Sequence, residues 1–191
     1  MSKSAKNPGK KVDVCPHQFA FMLDNWFRKL LHRPEKIVGD YIKAGDTVID
    51  LGCGPGFFSI DMAKMVGKEG RVIAVDLQKQ MIEKVKKKAK KHSVIDRMDF
   101  HQCEQNKIGL TQTADFALAY YMVHEVPDSK SLLKEIKGML KTEGKLLIVE
   151  PKMHVSDELF KTMLKDAEDV GFKVVDFPKG KGGRSILLTK S

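Results

Sequence analysis

Segment 48–56 sets Asp50 two residues ahead of Gly52, with Gly54 and Gly56 following at every second position and Cys53 between them. Glycines at this spacing let a backbone turn tightly and approach a ligand, and a helix that starts just beyond them aims its N-terminal amides at the same place. Asp76 stands 20 residues after Gly56 at the end of the next apolar run. A carboxylate there can accept hydrogen bonds from ribose hydroxyls. A second group, Tyr120, Tyr121 and His124, combines a ring that can accept a proton near neutral pH with two hydroxyls that can orient a ligand. His154 follows Glu150 and Pro151 and belongs to the same rim. The three cysteines, Cys15, Cys53 and Cys103, are widely spaced without a Cys-x-x-Cys pair, so neither a disulfide framework nor a metal site is expected.

These residues need elements to hold them, and the apolar pattern supplies an alternation. Strands are expected at 46–51, 72–75, 98–102, 115–119 and 145–149, with helices at 34–43, 57–66, 79–92 and 129–141 between or before them. In the last of these helices Leu132, Leu133, Ile136, Met139 and Leu140 fall on one face. Strands that alternate with helices of this length imply right-handed crossovers and a mostly parallel, doubly wound sheet covered on both faces. The end differs. A helix capped by Ser156 and closed by Gly171 leads to strands at 172–177 and 184–189, which are joined by a loop containing Gly182 and Gly183, too short for a helix. Such a pair must be antiparallel. The expected fold class is therefore α/β, with seven strands of which the last is antiparallel. Ahead of this core, Phe19, Met22, Leu23, Trp26, Phe27, Leu30 and Leu31 give a helical cap over 15–32, preceded by a basic tail at 1–14. The whole of 15–191 is expected to form one domain.

At 191 residues the chain is long enough for a substantial core, and 42% hydrophobic with 31% charged residues is an ordinary globular composition. No apolar run approaches the roughly 20 residues of a membrane-crossing helix, and the basic N-terminus lacks the apolar stretch of a secretory signal. A cytoplasmic location is expected. The formal charge of +9 raises polyanions as partners. Its densest part, Lys84, Lys86, Lys87, Lys88, Lys90 and Lys91, lies on one expected helix and has no interleaved aromatics, as a solvated face would.

The glycine loop discriminates between nucleotide classes. A dinucleotide fingerprint requires glycine at position 57, where this chain has Phe57, and an acid at position 50 suits a cationic amino group better than a pyrophosphate. The pattern points to S-adenosylmethionine. From about residue 36 to 149 the chain resembles the class I S-adenosylmethionine-dependent methyltransferases, of the type that includes the ubiquinone and menaquinone C-methyltransferases. The resemblance implies a Rossmann-like sheet. It implies that Asp50, Gly52, Cys53, Gly54 and Gly56 hold the methionine moiety, that Asp76 binds the ribose, and that Leu77 contacts adenine. Segment 98–104 resembles the motif near the adenine, which assigns Gln102, Cys103 and Glu104 to the cofactor, although Glu104 replaces a shorter acid. Segment 115–127 resembles the fourth-strand motif facing the transferred methyl, which adds Ala119 and brings Tyr120, Tyr121 and His124 near the reaction. The function so implied is methyl transfer by in-line displacement to a small-molecule acceptor, by a monomer or homodimer. An RNA or protein methyltransferase and a non-catalytic S-adenosylmethionine-binding regulator are the alternatives.

Overall fold

The computed structural model describes residues 33–190, so the basic tail at 1–14 and the helical cap at 15–32 lie outside the described residues. The first described helix, α1 (Pro34–Val38), has proline in its first turn, where a missing N–H costs nothing. It passes into a single 3-10 turn, Gly39–Tyr41, rather than continuing as an α-helix to residue 43.

Two β-α units and a third strand follow. Strand β1 (Thr47–Leu51) leads through the glycine loop into α2 (Ser59–Met65) and β2 (Arg71–Asp76). Helix α3 (Lys79–Lys91) then leads to β3 (Met98–Gln102). In α3 Met81, Ile82, Val85 and Ala89 are buried, a spacing that makes one apolar stripe, while Lys84, Lys87, Lys90 and Lys91 are exposed. The lysine run is thus the solvent side of a core helix.

Strand β4 (Ala114–Tyr120), α4 (Ser129–Gly138) and β5 (Leu140–Glu150) build the other half, followed by α5 (Asp157–Asp169), β6 (Phe172–Asp176) and β7 (Arg184–Lys190). Ser156 caps α5 as expected, its hydroxyl accepting from Leu159 N–H at 3.2 Å. The expected boundary between α4 and β5 is wrong. The helix stops at Gly138 instead of residue 141, and β5 begins at Leu140 instead of 145. Leu140 pairs with Ala114 across a register shift, and Glu143 adopts a left-handed φ of 63°. An apolar residue that fits a helical face here serves a bulged strand, because pairing with β4 outweighs a weak local preference.

All seven strands form one sheet in the order β3-β2-β1-β4-β5-β7-β6. β1 through β5 pair in parallel, and β7 is inserted antiparallel to both β5 and β6. Alternate side chains feed two cores. On one face Val48, Val72, Phe116 and Leu147 pack beneath Val38, Met62 and Val85 of α1, α2 and α3. On the other, Ile49, Ile73, Ala117 and Leu146 pack beneath Leu133, Ile136 and Met163 of α4 and α5. Among the described residues no helix is long and apolar enough to cross a membrane.

Candidate functional site

In a sheet of this order the chain leaves β1 and β4 in opposite directions, and the gap beyond their carboxyl ends is where a ligand fits. A cavity of about 620 Å³ lies there. Its floor is the turn after β1. Cys53 N–H donates to Val75 O at 2.9 Å, which ties the loop to the end of β2. Gly54 N–H then donates to Asp76 Oδ2 at 2.9 Å, and Gln78 N–H to Asp76 Oδ1 at 2.8 Å. Burial pushes the Asp76 carboxyl up, against these two hydrogen bonds. Asp50 is buried deeper, and its Oδ2 accepts from the Ser59 hydroxyl at the start of α2. Burial, with a contribution from the charge of Asp76 and against the Ser59 bond, pushes Asp50 up to about 7.

Of the residues expected at the cofactor, Asp50, Gly52, Cys53, Gly54, Asp76, Leu77, Cys103 and Glu104 line this cavity. Gly56, Gln102 and Ala119 do not. Gly56 has a φ of +81°, and a Cβ there would meet Val85 Cγ2 at 2.3 Å, so this glycine lets the loop lie against α3. Gln102 is exposed and donates its amide to Leu77 O at 3.3 Å, which steadies the backbone rather than meeting the cavity. Ala119 is fully buried between Leu51 of β1 and Ile148 of β5. The thiols are poor nucleophiles, since burial pushes Cys103 up to about 11 and Cys53 well above its usual value. Cys15 lies outside the described residues.

The far end of the cavity is made by the ends of β4 and β5. Tyr120 donates its hydroxyl to Lys181 O at 3.4 Å and Tyr121 donates to Gly182 O at 2.6 Å, so both are held by the turn before β7. Their rings lie 4.2 Å apart, and Tyr120 also packs on Phe58 at 4.6 Å. Tyr121 holds a left-handed φ of 60°, unusual for an aromatic residue, and its N–H donates to Val149 O at 2.8 Å. His124 lines the cavity, and its Nδ1 is hydrogen-bonded to Glu150 Oε2. That bond pushes the imidazole up, against desolvation. His154 also lines the cavity, its ring 6.1 Å from that of His124.

Three contributors lie beyond the sequence reading. Glu150 and Gly183 form the wall behind His124 and Tyr121: a Cβ at position 183 would meet Glu150 O at 2.2 Å, so glycine allows β7 to close against the end of β5. Glu135 of α4 accepts from Ile108 N–H at 2.9 Å and Gly109 N–H at 2.7 Å, which pins the loop carrying Glu104 and Lys107 over the cavity. The available signal was Glu150 itself, an acid that ends the apolar run of β5 where the sheet meets a ligand.

A doubly wound sheet whose first β-α turn is glycine-rich, with an acid before the turn and another at the end of the next strand, defines an α/β protein that binds a nucleoside-bearing ligand. Residues 42–184 match the family model of the methyltransferase domain, and the chain belongs to that family. It is 32% identical over 162 residues to a demethylmenaquinone methyltransferase of Lactobacillus johnsonii, a match covering 78% of this chain and 64% of the relative. It is 26% identical over 119 residues to the ubiquinone/menaquinone biosynthesis C-methyltransferase UbiE of Haemophilus ducreyi, covering 62% of this chain and 46% of that one. The chain thus spans less than two thirds of the length of these relatives. Among solved structures, a SAM-dependent methyltransferase from Aquifex aeolicus superimposes with a TM-score of 0.82 at 29% identity, covering 92% of this chain and 99% of the other. The fold is that of the S-adenosylmethionine-dependent methyltransferases.

Proposed function

We propose that this chain binds S-adenosylmethionine at the glycine loop and transfers its methyl group to a small-molecule acceptor. The observation that carries the proposal is the sign of the cavity. In a chain with a formal charge of +9, Asp50, Asp76, Glu104, Glu125, Asp128 and Glu135 all line it, against Lys107, His124 and His154. Among the described residues no cation favours the charge of the buried Asp50 carboxylate, which is pushed up to about 7, and a ligand ammonium supplies one. The residues therefore fit the proposed ligand. Asp50 would hold the amino group, Asp76 the ribose hydroxyls, and Leu77 with Cys103 the base. When bound, S-adenosylmethionine supplies an electrophilic methyl on a good leaving group. The protein has then to align the acceptor and exclude water, tasks suited to Phe57, Phe58, Tyr120 and Tyr121.

The relatives are methyltransferases of demethylmenaquinone and of ubiquinone/menaquinone biosynthesis, which supports a hydroxylated aromatic ring as the acceptor class. A cytoplasmic protein acting as a monomer or homodimer completes the proposal. Calorimetry with S-adenosylmethionine should show binding that weakens in Asp76→Ala. Incubation with labelled cofactor and 1,4-naphthoquinol should yield labelled product. Failure to bind the cofactor defeats the proposal, and binding without transfer to any acceptor in a cell extract favours the regulator reading.

A further inference from the structure

Glu150 does not line the cavity, yet it is the most thoroughly buried acid beside it. It is 0% exposed, and both its oxygens are committed: Oε1 accepts from Val123 N–H at 2.9 Å and Oε2 faces His124 Nδ1. Its backbone is fixed as well, at the last position of β5, paired with Arg184 of β7 and approached closely by Gly183. A buried carboxylate held in this way only accepts hydrogen bonds, so the proton of a neutral His124 sits on Nδ1. The side chain of His124 is 14% exposed and lines the cavity, and the polar atom it has left for a ligand is Nε2, as a lone pair. Other titratable groups around it are Glu125 on the same turn and His154 from the loop after β5. Neither competes for Nδ1. Tyr121, which also lines the cavity, donates its hydroxyl to Gly182 O.

We propose that Glu150 is a positioning residue that fixes His124 in its Nδ1–H tautomer, so that Nε2 takes the proton of the acceptor. The acceptor is accordingly a neutral molecule whose nucleophile carries an ionisable hydrogen, a ring hydroxyl or an activated ring carbon, and not a carboxylate or phosphate. This rests on the methyl-transfer reading and deepens it. Transfer to a neutral X–H acceptor balances as follows. The X–CH3 bond forms as the methyl–sulfur bond breaks, and the electron pair of that bond stays on sulfur. The X–H bond pair remains on X, and its proton goes to Nε2. The imidazolium, paired with the Glu150 carboxylate, returns the proton to water after the product leaves. A permanently anionic acceptor would need no base and would meet an acid-lined wall.

Glu150→Gln separates this from a packing role. Val123 N–H keeps the amide oxygen, which turns the amide NH2 toward His124 Nδ1 and forces Nδ1 to accept. Nitrogen-detected NMR on the cofactor-free protein should find neutral His124 protonated at Nδ1 in the wild type and at Nε2 in Glu150→Gln. Turnover of 1,4-naphthoquinol should fall by about 100-fold while affinity for S-adenosylhomocysteine stays within about twofold. Glu150→Asp should restore the wild-type tautomer and part of the rate. If Glu150→Gln does not fold, the wild-type spectrum and His124→Gln carry the test, with the same loss of turnover and the same retained affinity. A wild-type His124 protonated at Nε2, or unaltered turnover in either variant, overturns the proposal. A wild type that fails to bind S-adenosylhomocysteine overturns the methyl-transfer reading instead.

Discussion

The two ends of the cavity are built on different principles. The end proposed for the cofactor is local: Asp50, the glycine loop and Ser59 lie within ten positions of one another, and Asp76 joins through a hydrogen bond from Gly54. The end proposed for the acceptor is assembled at long range. His124 meets Glu150 across the parallel pairing of β4 and β5, and Tyr121 is fastened to Gly182, which is 61 positions away. A local site can be written as a motif, because spacing alone fixes its geometry. A site made by strand register cannot, because the partner is set by which strands become neighbours.

The largest expected effect tests whether the cofactor end works by charge. Asp50→Asn keeps an acceptor for the Ser59 hydroxyl and removes the anion, so affinity for S-adenosylmethionine should fall by about 100-fold. Thermal stability of the cofactor-free protein should hold or rise above about pH 7, where the substitution removes a buried charge. Equal loss of stability and affinity would mean that Asp50 is structural. Next comes Gly56→Ala, which places a Cβ against Val85 at a left-handed φ. Stability should drop by about 2 kcal/mol, as measured by urea unfolding, and Val85→Ala should recover part of it. If Gly56 instead met the ligand directly, the compensating change would restore nothing.

The pH dependence is smaller and has a defined sign. With its folded value raised to about 7, Asp50 binds a proton in the cofactor-free protein that it must give up to face a cation. Affinity for S-adenosylmethionine, followed by calorimetry, should climb by up to about tenfold per unit as pH rises toward about 7 and then level off. Over the same window the cofactor-free protein should lose stability, because the group is protonated in the native chain while it is already ionised in the unfolded one. At the other end of the cavity, His124 is raised by Glu150, so turnover should rise with pH on a limb lying above the ordinary imidazole range. The smallest effect belongs to the basic helix. Replacing Lys87 and Lys90 by Gln should change stability by less than about 0.5 kcal/mol and leave cofactor affinity unaltered.

The same division governs what could be read in advance. The parallel strands, the antiparallel ending and the glycine loop follow from apolar periodicity and from residues close in sequence, and the structure has them. In the sequence Glu150 is only the residue before Pro151 and His154, and Gly183 only part of a connector, since nothing near them in the chain says that β7 slides in beside β5. Gly56 has the same spacing as Gly52 and Gly54, while its left-handed conformation and its packing on Val85 come from a helix that the motif does not contain. The α4–β5 boundary failed for a related reason: Leu140 suits a helix face and a strand equally, and the neighbour that decides is Ala114.

The insertion of β7 between β5 and β6 has a consequence for how the polypeptide comes off the ribosome. Until Arg184–Lys190 has been synthesised, residues 145–150 of β5 present an open edge whose middle, Leu146, Leu147, Ile148 and Val149, is apolar. Such an edge is a template for pairing with another copy. Before that segment is in place the chain is therefore sticky and lacks the wall that Gly183 builds behind Tyr121. A version cut before residue 184 should form aggregates rather than a slightly weaker enzyme.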